Sequence, residues 1–279
     1  MNPSLTSTVK GYCMKLSIVL STQPAQFQAT TFKGNLEENL RYISTLGYEG
    51  VELAIRDPKL VDLDELERIT RSRELSVPAI GTGQAWGEEG LSFTDPDPEI
   101  RRRTIERIKS HFPLASRFGA VIIIGLIRGV VKPGVDTQEA MQWLVEALQE
   151  CCASTPGDNI RFALEPINRY ETTLINTSTQ GLDLIERVGL DNFGLLLDTF
   201  HMNIEEPNII ESIQRCGNHI YHFHVADSNR WYPGAGHLDF KSIMKALYAT
   251  GYSGWVSGEF LPKPDAESAA LQSIIHLNG

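Results

Sequence analysis

The chain has 279 residues, of which 42% are hydrophobic and 22% are charged, and its formal net charge is −10. This composition is typical of a globular protein that is large enough for one or two domains and a sizeable core. The acidic balance repels phosphate backbones, so we predict no nucleic-acid partner.

The chain contains four cysteines without a CxxC pair, at Cys13, Cys151, Cys152 and Cys216. Their spacing is not that of a disulfide framework, so we predict a reducing, cytoplasmic location. No apolar leader segment and no apolar run of membrane-spanning length is found, so no membrane partner is expected. We predict that the polar residues 1–13 form an N-terminal extension, followed by a single domain at 14–279.

Short segments rich in β-branched and aromatic residues recur along the chain, and they predict strands. Eight such segments are found, at Leu16–Ser21, Gly50–Ile55, Val77–Thr82, Ala120–Leu126, Ile160–Glu165, Phe193–Asp198, Ile220–Ala226 and Trp255–Glu259.

The segments between these strands have helical periodicity and capping residues. Asn35 and Glu38 have the spacing of a capping box, and Asp97, followed by Pro98, predicts another helix start. Further helices are expected at Asn208–Cys216, at Phe240–Thr250 after the cap Asp239, and after Asp265.

Alternation of strands with helices predicts parallel strands joined by right-handed crossovers. Six such units would suit an open doubly wound sheet, whereas eight suit a closed barrel. No GxGxxG motif follows the first strand, which weakens the dinucleotide-binding alternative. We therefore predict the α/β class and a (β/α)8 barrel, with its active site at the carboxyl ends of the strands.

Four consecutive strand ends carry ionisable residues. Glu165, Asp198 and Glu259 end the fifth, sixth and eighth strands, and His222 and His224 share one face of the seventh. Three carboxylates at one barrel mouth would repel each other without a cation. Oxygen-rich ligation with one imidazole favours Mn²⁺, with Mg²⁺ and Co²⁺ as alternatives. We choose His224 as the ligand because it is nearer the strand end, and interpret His222 as a residue of the site's wall or one that supports a ligand.

A second group of polar residues follows these strand ends in the loops, at Glu171, His201 and Arg230. Loops at this end of a barrel commonly bind substrate, and these three residues are candidates for that role.

The segments EPINRYE, LDTFHMNIEE, HFHVADSNRWYPGAGH and SGEF resemble the xylose-isomerase-like barrel family of sugar epimerases, and most of all its ketose 3-epimerases of the tagatose and psicose type. The nearest branch within that family is the 5-keto-L-gluconate epimerases, which are resembled by the segments RDP at 56–58, AIGTGQA at 79–85, INRYET at 167–172 and HMNIEE at 201–206.

The resemblance implies a role for each of these positions. Glu165, Asp198, His224 and Glu259 would bind the metal, and Glu171, His201 and Arg230 would bind the sugar. Glu165 and Glu259 would also be the catalytic acid/base pair. Epimerisation beside a ketone removes a proton from one face and returns one to the other, which two opposed carboxylates can do through a cis-enediolate. The resemblance also leaves room for a homo-oligomer.

A keto-uronate substrate would need a cation for its carboxylate. Arg56, after the second strand, and Arg128, after the fourth, are the candidates for that contact. Trp86 and Trp231 could cover apolar edges of the sugar, although local packing explains both equally well.

Three other functions remain open from the sequence alone. An aldose–ketose isomerase would use the same metal but move a proton between C1 and C2. An apurinic-site endonuclease would need additional histidines on the early strands, yet no histidine precedes His111. A non-catalytic sugar-binding protein would have no need for two opposed glutamates.

Overall fold

The computed structural model describes residues 14–155, 157 and 160–279. The expected extension at 1–13 lies outside these residues. Within the described chain, nine parallel strands form one sheet: β1 Lys15–Ser21, β2 Phe32–Lys33, β3 Gly50–Ala54, β4 Ala79–Gly81, β5 Val121–Ile124, β6 Phe162–Leu164, β7 Phe193–Asp198, β8 Ile220–Val225 and β9 Trp255–Gly258.

The sheet closes on itself because β1 pairs with both β3 and β9. These eight strands, β1 and β3–β9, are those expected from the sequence, and the (β/α)8 prediction is confirmed. The two-residue strand β2 is additional and pairs with the end of β1 through Leu20 and Phe32.

Eleven α-helices in the described residues surround the barrel or lie in its loops: α1 Leu36–Thr45, α2 Leu63–Ser72, α3 Gln84–Glu89, α4 Pro98–Ser110, α5 Phe112–Phe118, α6 Thr137–Ala153, α7 Ser178–Val188, α8 Thr199–Glu205, α9 Ile209–Cys216, α10 Phe240–Ala249 and α11 Ala266–Asn278. No helix in this part of the chain has both the length and the apolar character needed to cross a bilayer.

Aspartate caps determine where several helices begin. The carboxylates of Asp97, Asp239 and Asp265 accept backbone N–H groups of α4, α10 and α11 at 2.9, 3.1 and 2.8 Å, as expected. The predicted capping box at Asn35 is wrong. Asn35 has a φ of 37° and makes no side-chain cap, because a capping side chain reaches the first turn from extended backbone, not from the left-handed region.

The strands separate two apolar regions. Side chains that point outward, such as Phe162, Leu164 and Phe223, pack in the large core between sheet and helices. A smaller cluster fills the barrel interior: Ala79, Val121, Ile123, Ala163 and Leu196. Alternation along each strand therefore directs every second residue inward. Polar side chains that point inward near the strand ends lie above this apolar cluster and form the candidate active site.

Candidate active site

The four residues expected to bind metal converge at the carboxyl ends of the strands. Glu165 and Glu259 each lie one residue past a strand, and their N–H groups continue the ladder to Ile124 and Val225 at 3.2 Å. Nδ1 of His224 lies 3.8 Å from Glu165 Oε1, 3.7 Å from Asp198 Oδ2 and 3.6 Å from Glu259 Oε2.

The geometry of this cluster fits a divalent cation. One ligand atom from each of the four residues lies within 4.8 Å of the others. Ligands about 2.1 Å from one octahedral ion are about 3 to 4.2 Å apart. Glu165 Oε1 and His224 Nδ1 are both buried without a hydrogen-bond partner. Buried polar atoms rarely remain unpaired, and a cation would satisfy both.

Arg230 partly neutralises the cluster. Its guanidinium donates to Asp198 Oδ2 at 2.6 Å and also to Glu259 Oε2. The net charge of this group is −2, because it contains one guanidinium and the three carboxylates of Glu165, Asp198 and Glu259. One divalent cation would balance that charge. Arg230, which the resemblance implies as a sugar-binding residue, is paired in this structure with two of the expected metal ligands.

The carboxylates of this cluster differ strongly in proton affinity. Burial, together with the charges of Glu259 and Asp198, raises the pKa of Glu165 to about 7. Burial acts in the same direction on Asp198, but Arg230 and the neighbouring histidines outweigh it and hold that pKa well below its usual range. Of these two carboxylates, Glu165 is therefore the one whose charge is stabilised more by a nearby cation at neutral pH.

Asn168 orients the other two polar residues expected at the site. Its Oδ1 accepts the N–H of Tyr170 at 3.0 Å, so its amide nitrogen faces His201 Nδ1 at 2.8 Å and Glu171 Oε1 at 2.7 Å. Burial lowers the pKa of His201 to about 3. The imidazole is therefore neutral, with its proton on Nε2, which lies 3.6 Å from Glu165 Oε1.

A cavity of about 300 Å³ opens beside the cluster. Its walls include Phe27, Trp86, Leu126 and Ile167, and Glu171, His201 and Glu259 also line it. Trp86 thus lies where a substrate would bind, whereas Trp231 does not belong to this lining.

The two arginines considered for a substrate carboxylate make other contacts in this structure. Arg128 is fully buried, and its guanidinium donates to four main-chain carbonyls: Gly125, Glu165, Leu174 and Ile175. The side chain of Arg56 pairs with Glu89 at 3.3 Å. Neither arginine lines the cavity. A sequence pattern places an arginine in a loop but cannot show that backbone carbonyls will occupy its donors.

Glu52 was not recognised from the sequence. It lies in the middle of β3, faces the barrel interior and contacts His222 and His224. The signal was available, because Glu52 is the one ionisable residue in an otherwise apolar predicted strand. His222 contacts Glu52 through Nε2 at 2.8 Å and does not belong to the lining of the cavity.

The loop after β8 is organised by Asp227, another residue not recognised from the sequence. Its carboxylate accepts the N–H groups of Ser228, Gly234 and Leu238 at 2.7, 2.9 and 3.2 Å. Gly234 has a φ of 95°, which glycine adopts without strain. These hydrogen bonds to Asp227 fix the conformation of the loop that carries Arg230.

Known proteins resemble this chain in sequence and fold. The chain is 31% identical over 235 residues to an L-ribulose 3-epimerase of Mesorhizobium japonicum, covering 84% of this chain and 78% of that protein. It is 29% identical over 241 residues to a 3-dehydro-D-guloside 4-epimerase of Escherichia coli, covering 81% and 87%. The sequence-based assignment to the isomerase class agrees with these names.

Structural and family comparisons agree on the fold. A D-allulose 3-epimerase from Methylomonas sp., solved in complex with D-allulose, superposes with a TM-score of 0.80 at 24% identity, covering 96% of this chain and 98% of that one. A family model described as "Xylose isomerase-like TIM barrel" matches residues 40–278. This chain therefore belongs to the xylose isomerase-like TIM barrel family.

Proposed function

We propose that the protein is a divalent-metal-dependent epimerase that inverts C3 of a neutral ketose. One observation carries the proposal: two glutamates, Glu165 and Glu259, reach the same cavity from different strands and meet at a cluster with the geometry of a cation site. Relatives named L-ribulose 3-epimerase and 3-dehydro-D-guloside 4-epimerase support the reaction type.

The two glutamates would share the proton transfers. One carboxylate removes the proton beside the ketone, and the other returns a proton to the opposite face, so the configuration inverts. Glu165 suits this task because its carboxylate lines the cavity beside the cluster. The reverse reaction exchanges the two roles.

Glu165, Asp198, His224 and Glu259 would hold the cation. When bound, a divalent cation polarises the substrate carbonyl and stabilises the negative charge that develops on its oxygen. The ligand set of three carboxylates and one imidazole favours Mn²⁺ over Zn²⁺, and Mg²⁺ and Co²⁺ are the alternatives.

The remaining polar residues would orient the sugar. His201 is neutral and offers its Nε2–H to a substrate oxygen, and Glu171 accepts from a hydroxyl. Both side chains are held by Asn168. Trp86 and Phe27 supply apolar surface for the carbon skeleton.

The charges around the cavity favour a neutral ketose over a keto-uronate. Among the described residues, no lysine or arginine lines the cavity, whereas Glu88 and Glu171 do. A substrate carboxylate would be repelled there and would lack the bidentate partner that such groups usually have in proteins. The nearer resemblance to 5-keto-L-gluconate epimerases therefore receives no support from the charges of this cavity.

The test is a panel of neutral ketoses and keto-uronates incubated in D₂O with the Mn²⁺-loaded protein. We expect C3 epimers of ketoses with deuterium incorporated at C3, and little turnover of keto-uronates. Aldose products labelled at C2 would instead identify an aldose–ketose isomerase. Turnover of keto-uronates alone would overturn the substrate assignment.

The two-base scheme has its own test. Glu165→Gln and Glu259→Gln should each abolish epimerisation, while Glu88→Gln, at the cavity wall, should keep most of the activity. Normal epimerisation by either of the first two variants would contradict the scheme.

A further inference from the structure

A buried acid lies across the barrel interior from the two histidines of β8. Glu52 is 1% exposed, and its Oε2 atom lies 2.8 Å from His222 Nε2 and 2.9 Å from His224 Nε2. β3 and β8 are not neighbours in the sheet, so these contacts cross the interior. A buried carboxylate is unfavourable unless its oxygens are hydrogen bonded, and the two imidazoles provide the partners.

Hydrogen bonding to Glu52 decides which ring nitrogen of His224 carries the proton. An ionised carboxylate can only accept, so Nε2 of each histidine donates to it. In a neutral imidazole with Nε2–H, Nδ1 keeps a free lone pair. That atom of His224 has no hydrogen-bond partner and lies 3.6 Å from Glu259 Oε2.

The opposite tautomer would serve metal binding poorly. It would place the Nε2 lone pair of His224 against the Glu52 carboxylate, which is repulsive. It would also place an N–H group where a cation needs a lone pair, because a metal binds a ring nitrogen that is free of a proton.

His222 holds Glu52 in this arrangement. Its Nε2 donates to the same Oε2 atom as His224. The two rings pack edge to face, with centroids 5.3 Å apart and planes at 80°. The carboxylate therefore accepts from both rings at once, which restricts its rotation.

We infer that Glu52 is a positioning residue for the metal site, and that it acts by holding His224 with the Nδ1 lone pair directed at Glu165, Asp198 and Glu259. The inference rests on the metal dependence of the proposed function, but not on the identity of the sugar.

The first test measures metal binding without substrate. Metal-stripped wild type and Glu52→Gln are titrated with Mn²⁺, and the free ion is followed by electron paramagnetic resonance. We expect one ion per chain, and a Kd that is about 10- to 100-fold higher in the variant, the usual effect of losing a partner of a metal-bound histidine.

The second test observes the proton itself. In ¹⁵N-histidine spectra of the Mg²⁺-loaded protein, we expect a strongly hydrogen-bonded Nε2–H signal for His224. In Glu52→Gln this proton should shift upfield, because a neutral amide is a weaker acceptor than a carboxylate. If Glu52 only contributed to packing, its replacement would leave the chemical shift of the His224 Nε2–H proton unchanged.

Ser257→Ala is the matched control. Ser257 pairs with His224 across β8 and β9, is fully buried, and its hydroxyl has no hydrogen-bond partner. Its removal disturbs packing beside His224 but not the contact with Glu52, so metal affinity should stay at the wild-type value. If Glu52→Gln does not fold by circular dichroism, Glu52→Asp replaces it. This variant keeps the charge but is shorter, and it should also weaken Mn²⁺ binding.

Two results would overturn the inference. One is an unchanged Mn²⁺ affinity together with an unchanged Nε2–H signal. The other is two ions per chain in the wild type and one in Glu52→Gln, which would make Glu52 and the histidines ligands of a second ion. If Glu52→Gln binds Mn²⁺ more weakly than wild type but the wild type turns over no sugar, this inference stands and the proposed function is overturned.

Discussion

The buried guanidinium of Arg128 donates to the main-chain carbonyl of Glu165, directly behind the carboxylate that we propose as a base. Its other donors reach Gly125 at 3.0 Å, Leu174 at 3.3 Å and Ile175 at 3.1 Å. Arg128 therefore joins the end of β6 to the segment before α7. Burial lowers its pKa to about 10, so it remains charged at neutral pH.

We expect Arg128→Ala to lose both stability and turnover. The change removes the side-chain donor of four main-chain carbonyls, of which Gly125 and Ile175 keep a backbone N–H partner. It also opens a cavity, and the two effects together should cost about 3 kcal/mol or more of unfolding free energy. Urea unfolding and kcat measure the two effects. Arg56→Ala is the control, since Arg56 forms a partly exposed ion pair, and it should change stability by about 1 kcal/mol or less. Equal behaviour of the two variants would contradict the role assigned to Arg128.

Asn168→Asp should reduce kcat/KM by about 10- to 100-fold, the equivalent of one charge-assisted hydrogen bond. The new carboxylate would accept a hydrogen bond from an N–H at His201 Nδ1. The neutral imidazole would then have no proton on Nε2 to offer to the substrate. The carboxylate would also repel Glu171. Steady-state kinetics on the best ketose checks this. Tyr170→Ala, which changes a neighbouring side chain that is 82% exposed, should leave kcat/KM unchanged. A fully active Asn168→Asp protein would disprove the role of His201 as donor.

Asp227→Asn should loosen the loop at 227–238. The carboxylate collects several backbone N–H groups, and an amide offers one acceptor oxygen in its place, so we expect a stability loss of about 1 to 2 kcal/mol. Hydrogen exchange should rise in this loop, and kcat should fall because the loop carries Arg230. Asp239→Asn, which alters only the cap of α10, provides the comparison. If amide hydrogen exchange in this loop is as slow in Asp227→Asn as in wild type, the hydrogen bonds to Asp227 do not stabilise the loop.

The buried histidine His111 should make stability depend on pH. Its ring nitrogens contact the carbonyls of Arg107 at 2.9 Å and Ile55 at 3.0 Å, and burial lowers its pKa. Because the unfolded state then binds the proton more tightly, the contribution is complete above the unfolded pKa of about 6.5 and is lost as pH falls through the folded value. The slope for one proton is at most about 1.4 kcal/mol per pH unit.

Urea unfolding of wild type and His111→Gln between pH 5 and 8 tests this prediction. The variant should be less stable at pH 8 but should show a flatter decline below pH 6.5. His219→Gln, which changes an exposed histidine, controls for the loss of a histidine as such. Parallel stability curves for wild type and His111→Gln would rule out His111 as the source.

Removal of the metal should lower the melting temperature. A ligand that binds only the folded state stabilises it by about 2.7 kcal/mol at a concentration of 100 Kd. We therefore expect Mn²⁺ to raise the melting temperature of chelator-treated protein, and to raise it much less in Asp198→Asn. Thermal unfolding followed by circular dichroism measures both shifts. An identical response of the two proteins would argue against Asp198 as a ligand.

Strand and helix positions were predictable because their signals are local. The apolar alternation around Phe162 and the caps at Asp97 and Asp239 depend on neighbours in sequence, and the structure confirms them. The capping box at Asn35 failed because the preceding turn sets its backbone, which residue types alone do not specify.

The convergence of Glu165, Asp198, His224 and Glu259 also followed from the sequence. Parity along a strand determines which face a side chain occupies, and a closed parallel barrel brings all strand ends to one rim. The sequence by itself therefore determined the fold class, the end of the barrel where polar side chains converge, and the four residues that meet there. Only the tertiary structure decided the partners of Arg56, Arg128, Arg230 and Glu52. These contacts join residues distant in sequence, and a long side chain pairs with whichever acceptor or donor the packed chain brings within reach.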